Sequence, residues 1–127
     1  MLTFDSMPVG AEMGRRELVL DDGLLGRWLR LFPDDADGDR MPAGMMAAVT
    51  MRAYAEILQP RPPGNVHGAQ QFQVIRLPRL GERLVTALTC AGKELKRDRR
   101  WIDFATETTG TDGGVRFRGR MSILWAA

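Results

Sequence analysis

One histidine stands in this chain, His67, and four aspartates crowd a single short stretch: Asp34, Asp35, Asp37 and Asp39. An imidazole beside a carboxylate is a common device for moving protons near neutral pH. A general base built from His67 and a carboxylate of the 34–39 loop is therefore one reading. The other is a structural or hydrogen-bonding histidine and a solvated acidic loop. No metal is expected in that loop, because its spacing lacks the central glycine and terminal glutamate of a calcium loop. The lone cysteine, Cys90, falls in an apolar strand pattern and is expected to be a buried, inert thiol. It excludes an intrachain disulfide.

The basic residues form two groups. Lys93, Lys96, Arg97, Arg99 and Arg100 gather in one predicted hairpin, and Arg116, Arg118 and Arg120 share one parity of the last strand. They read as wet faces balanced across the sheet by Asp103 and Glu107, or as phosphate-docking groups. Nucleic acid is not expected: the net charge is only +2, and few aromatics interleave with the cations.

The elements that must position these groups follow from pattern and punctuation. With 127 residues, 44% hydrophobic and 27% charged, one domain over residues 1–127 is expected, large enough for a real core. Residues 1–12 read as an irregular arm or short edge strand, and 14–20 as a strand. Asp21 and Asp22 offer capping oxygens to a helix carrying Leu24, Leu25, Trp28, Leu29 and Phe32 at helical spacing, ended by Pro33. Residues 43–58 are predicted as a second helix, apolar almost all round, with Arg52 and Glu56 on one stripe. Such a helix is a buried one. Pro60, Pro62, Pro63 and Gly64 stop it.

Strand-like alternation then runs from Val66 to Trp125. Pro78 and Gly81-Glu82 mark a turn, 83–90 a strand, and Gly92 a bulge or turn. Residues 101–109 form a further strand, and Asp112-Gly113-Gly114 is a hairpin signal. In the last strand Val115, Phe117, Met121, Ile123 and Trp125 share one parity, and Arg116, Arg118, Arg120 and Ser122 the other. An apolar helix followed by long antiparallel strands packs best in the concave face of a curled sheet. The helix face left over needs a second cover, which a dimer partner supplies most simply. No apolar run is long enough to span a membrane and no leader pattern opens the chain, so a cytoplasmic protein is expected.

Three stretches carry a family resemblance. Pro42-Ala43-Gly44-Met45-Met46 resembles the Gly-Met opening of the central helix in MaoC-like dehydratases and hydratases. Asn65-Val66-His67-Gly68 through Phe72 resembles the strand that follows, and Arg76-Leu77-Pro78-Arg79-Leu80-Gly81-Glu82-Arg83-Leu84 resembles the family's Pro-x-x-Gly-Asp-x-Leu turn. The resemblance implies an α+β hot-dog fold, a curled antiparallel sheet wrapped around one long central helix. It implies acyl thioesters of coenzyme A or acyl carrier protein as ligands, with no other cofactor. It implies reversible hydration of an enoyl thioester, whose carbonyl is polarised by amides at the helix start, here Gly44, Met45 and Met46. Arg97, Arg99 and Arg118 become candidates for the coenzyme A phosphates.

The family's proton-moving Asp and His lie five residues apart in a Gly-Asp-x-Asn-Pro-x-His motif. Laid on Gly38-Asp39-Arg40-Met41-Pro42-Ala43-Gly44, the motif keeps its Gly, Asp and Pro, but Met41 stands for Asn and Gly44 for His. Asp39 and His67 are then the remaining catalytic candidates. Three functions follow: a hydratase or dehydratase, a non-catalytic acyl-thioester-binding protein or partner subunit, and a hot-dog thioesterase that uses Asp39. A homodimer is expected, with a heterodimer containing a catalytic sister subunit as the alternative.

Overall fold

A computed structural model describes residues 1–127. Five antiparallel strands form one curled sheet: β1 (Glu12–Val19), β2 (Val66–Val74), β3 (Arg83–Lys96), β4 (Arg99–Thr109) and β5 (Val115–Trp125). Their spatial order is β1-β3-β4-β5-β2, which leaves β1 and β2 on the two edges. Helix α1 (Asp22–Leu31) follows β1, and helix α2 (Met45–Ile57) lies against β1 and β3. The two helices and the sheet realise the α+β architecture that the sequence pattern implies.

Local chemistry explains the boundaries. Asp21 caps α1 by accepting from the Leu24 N–H at 2.8 Å, and Pro33 follows the helix end. On β4 the even residues Ile102, Phe104, Thr106 and Thr108 are buried and the odd ones half-exposed, as alternation predicts. The same holds for Phe117, Met121, Ile123 and Trp125 on β5.

The core has two apolar parts. Around the start of α2 lie Leu20, Leu25, Met41, Met45, Met46, Val49, Leu84 and Phe117. Around its end lie Met7, Tyr54, Leu58, Leu88, Cys90, Ile102, Phe104, Met121, Ile123 and Trp125. Between the two parts, Thr86 and Thr108 share a buried hydroxyl–hydroxyl bond of 2.8 Å. Cys90 is buried, and burial raises its thiol pKa, which suits an inert core residue. The arm at 1–11 is irregular, and its Met7 closes the far end of the core.

Four expectations change. The second helix begins at Met45, two residues later than its apolar run. It is also not covered all round: Ala43, Gly44, Ala47 and Ala48 are exposed. Strand β3 does not stop at Cys90. It passes a bulge between Cys90 and Gly92 and continues to Lys96, so the hairpin turn is only Arg97-Asp98. Finally, Arg116 does not belong to the wet face of β5. It is 4% exposed.

Buried guanidinium chemistry needs partners, and Arg116 has three, joined by four hydrogen bonds. Its Nε and Nη2 donate to Glu82 Oε1 at 3.0 and 2.7 Å, Nη2 to Asp112 Oδ1 at 2.9 Å, and Nη1 to the Gly114 carbonyl at 3.0 Å. A Cβ on Gly110 would collide with both Glu82 and Arg116, so the hairpin needs glycine there. Removing the cation alone would strand a mostly buried carboxylate. Arg116→Ala is expected to cost about 3 kcal/mol in urea unfolding. Burial pushes the Glu82 carboxyl up, but hydrogen bonds from Arg116 and the Arg79 amide pull it lower than an ordinary glutamate. A pKa lowered by folding adds stability that is complete above the unfolded value of roughly 4.3 and is lost as pH falls through the folded value. Glu82→Gln is therefore expected to be less stable than wild type at neutral pH, with the gap closing in acid. A gap that stayed constant with pH would refute this origin.

Candidate functional site

The start of α2 is where the sequence points, and its position is set by its neighbours. The Met41 N–H donates to the Pro78 carbonyl at 2.8 Å, and the Leu80 N–H to the Asp39 carbonyl at 2.6 Å. An isolated bridge joins Arg40 to Arg79. The acidic loop is thus clipped to the β2–β3 connection. From the other side, α1 places Trp28 over the helix start. A Cβ on Gly44 would lie 2.9 Å from Trp28 Cζ2, so glycine is needed for this close packing. The Trp28 indole N–H in turn donates to Asp35 Oδ2 at 2.8 Å.

These contacts enclose a depression of about 280 Å³ whose lining includes Asp35, Asp37, Arg40, Ala43, Gly44 and Leu77. Two of its lining residues carry free donors. The Ala43 and Gly44 N–H groups have no partner within the chain, while those of Met45 and Met46 donate to the Pro42 and Ala43 carbonyls at 3.0 and 3.1 Å. Unpaired amides at a helix start, where the positive end of the helix dipole lies, suit a carbonyl oxygen or an anion. The Gly44 N–H is thus free, whereas the N–H groups of Met45 and Met46 are engaged and their side chains belong to the core.

The proton-moving candidates are rearranged as well. Asp39 forms a salt bridge with Arg79, both half-exposed, and does not line the depression. Asp35 and Asp37 do. Asp35 is held by Trp28, and Asp37 lies 3.9 Å from Arg40 Nε. His67 is exposed near the start of β2, opposite Ile123, which packs in the core at the end of α2. The strand meets the core around the helix start at Phe72, which packs edge-on against Phe117. Five strand residues separate it from His67, roughly 16 Å, so within one protomer His67 lies toward the other end of the helix from Asp39.

The phosphate candidates separate in the same way. Arg97 follows Leu84 by thirteen residues along the β3 direction, so Arg97 and Arg99 stand at the other end of the sheet from the start of α2. Arg118 lies on the opposite face of the sheet, paired with Glu107 at 3.1 Å. There it borders a larger trough of about 610 Å³ whose floor includes Ala87 and Ala105. Arg120 pairs with Asp103 at 3.2 Å on the same face. Cross-strand balancing, one of the two sequence-based readings, describes these two arginines.

Among solved structures, a MaoC-like dehydratase from Rhodospirillum rubrum superposes with a TM-score of 0.83, covering 100% of this chain and 99% of that one at 16% identity. This chain has the hot-dog fold. An (R)-hydratase from Pseudomonas aeruginosa, in its unliganded form, matches with a TM-score of 0.73 over 97% of this chain and 84% of that one, at 18% identity. HadBC, a 3R-hydroxyacyl-ACP dehydratase complex from Mycobacterium tuberculosis, matches with a TM-score of 0.70 over 86% and 90%, at 10% identity. No family model and no curated protein matches the sequence. No helix of this hot-dog domain is long and apolar enough to cross a membrane.

Sequence reasoning missed Trp28, Arg40 and the choice among the four aspartates. Trp28 was visible only as one apolar position of α1. The aspartates differ by which way the loop turns them, and nothing in their spacing encodes that. The Asp39–Arg79 pair is half-exposed, so Asp39→Asn is expected to change stability by less than about 1 kcal/mol in urea unfolding.

Proposed function

We propose that this hot-dog domain binds acyl thioesters of coenzyme A or acyl carrier protein and serves as the non-catalytic partner of a hydratase or dehydratase of the same fold. The observation that carries this reading is the depression at the start of α2. It offers unpaired Ala43 and Gly44 amides for a thioester carbonyl and has no imidazole beside them. Hydration of an enoyl thioester requires one group to activate water and another to protonate the α-carbon. The fold likeness to dehydratases and hydratases, one of them a complex, supports a place in that chemistry.

The open edge of the sheet supports the pairing. On β2 and just beyond it, Val66, Val74 and Ile75 are exposed, and β2 has a strand neighbour on one side only. Ala47 and Ala48 of α2 are exposed as well. An edge strand with apolar side chains is a template for a second sheet. A dimer through β2, with a second copy or a sister subunit, covers it. Val74→Lys is expected to shift the purified chain toward monomer in light-scattering measurements. An unchanged dimer would place the interface elsewhere.

A second reading has its own observation. Asp35 and Asp37 border the same depression, so a carboxylate could serve as base or nucleophile for hydration or hydrolysis by the chain alone. Crotonyl-CoA separates the two. The first reading expects calorimetric binding by the pure chain without loss of enoyl absorbance or release of thiol, and turnover only after a catalytic subunit is added. Turnover by the pure chain that disappears in Asp37→Asn would establish the second. Absence of binding would overturn both.

A further inference from the structure

We propose that the distal half of the β3–β4 hairpin is a docking edge for an acidic, extended peptide segment of a partner protein. Three independent observations meet there. The first is charge. Arg15, Arg16, Arg83, Arg116, Arg118 and Arg120 of the sheet each have a carboxylate partner, whereas Lys93, Lys96, Arg97, Arg99 and Arg100 have none. Residues 93–100 hold these five cations against Glu94 and Asp98, a net charge of three positive, while the whole chain carries only +2. Among the cations of the sheet, those without a carboxylate partner are therefore gathered on this one arm.

The second observation is an open backbone edge. Strand β1 accompanies β3 only as far as the pairing of Glu12 with Thr89 and the bonds of Gly10 and Ala11 to Cys90. From Ala91 to Lys96, β3 bonds through its main chain to β4 alone. A row of unpaired strand groups accepts an added strand, and side chains beside it select which one. Leu95, 65% exposed, stands on this stretch between Lys93 and Arg97. It offers apolar contact among the charges.

The third is the turn itself. Arg97 and Asp98 both adopt left-handed backbone, with φ of 52° and 63°. Asn and Gly fit such a two-residue turn with less strain than arginine. Keeping arginine there spends local stability on a cation at the tip. An anionic membrane is the poorer occupant, because Asp98 shares the tip and would meet its surface first. Nucleic acid is poorer too, because the large rings beside the arm are engaged: Trp101 packs over Gly68, and Phe4 packs against the core with Lys93 Nζ 5.0 Å from its centroid.

The test uses the full chain and a fluorescein-labelled peptide of alternating Glu and Val, six to eight residues long. Fluorescence anisotropy is expected to show saturable binding that weakens as salt is raised. The triple variant Lys96→Gln, Arg97→Asn, Arg99→Gln should bind at least tenfold more weakly, while Arg83→Gln binds as wild type. Asn suits the left-handed turn, and circular dichroism checks that the sheet persists. A probe with proline in place of every valine keeps the charge but cannot complete a strand ladder, and should also lose at least tenfold. No saturable binding below about 1 mM overturns the proposal. So does equal binding of the proline probe, or of the triple variant. Binding of phosphatidylserine vesicles or single-stranded DNA as tight as that of the peptide, with the same sensitivity to the triple variant, would make the arm a general polyanion patch and overturn it as well.

Discussion

The Arg116 guanidinium ties together the end of the molecule on which the candidate site stands. It sits on β5 but reaches Glu82, at the turn before β3, and Asp112, in the β4–β5 hairpin. Glu82 also accepts from the Arg79 N–H at 2.6 Å, and its carbonyl receives the Leu20 N–H at 2.9 Å. One buried cation therefore fixes the segment 78–82 against three other parts of the chain. That segment then holds Met41 and Asp39, and through them the start of α2. A buried ion pair is weak evidence for net stability, since desolvation offsets much of its attraction. Its value here is positional: an apolar side chain at 116 could fill the space, but it would leave the 78–82 turn without its anchor.

Away from this anchored end, one side of the molecule stays open. Helix α2 leans toward β1 and β3, and the sheet curls over it from that side. On the β2 side, Phe72 reaches the core and meets Phe117 edge-on at 6.3 Å, but Val74 and Ile75 beyond it are uncovered. The apolar helix and the strand edge are thus two halves of one incompletely covered surface. Its remaining exposure is small and alanine-rich, so a close second layer is sterically feasible.

Most of the fold was legible because burial in this chain follows the strand period. Asp21, Pro33, the proline cluster at 60–63 and Asp112-Gly113-Gly114 fall where the elements change, and the structure places the boundaries within a few residues of them. The failures share a physical cause. Alternation assigns a side chain to a face but says nothing about what stands on that face at the strand's end. Arg116 obeys the parity of Arg118 and Arg120, yet two loops fold over it and bury it. Similarly, the bulge at Gly92 allowed β3 to continue where a turn was equally readable. For the candidate site, the helix start is readable in the sequence but the groups around it are not. The Gly44 backbone follows from where the helix starts, whereas the roles of Asp35, Asp37 and Asp39 depend on a clip to Arg79 and a bond from Trp28 that lie far away in sequence.

These roles sharpen the chemical question at the depression. Asp39 is committed to Arg79, and Asp35 accepts the Trp28 indole proton, which fixes its orientation. Asp37 keeps only a long contact with Arg40. A hydratase needs a base and an acid that exchange a proton across one turnover, and an imidazole does this readily because its pKa lies near neutrality. Two carboxylates do so only where their environments push their pKa values apart. Asp37 is well exposed, and no second side chain orients it. The helix start can polarise a carbonyl by geometry alone, since backbone amides need no titration. On the proposed reading, the thioester carbonyl meets these backbone amides and the proton-moving groups come from a partner subunit.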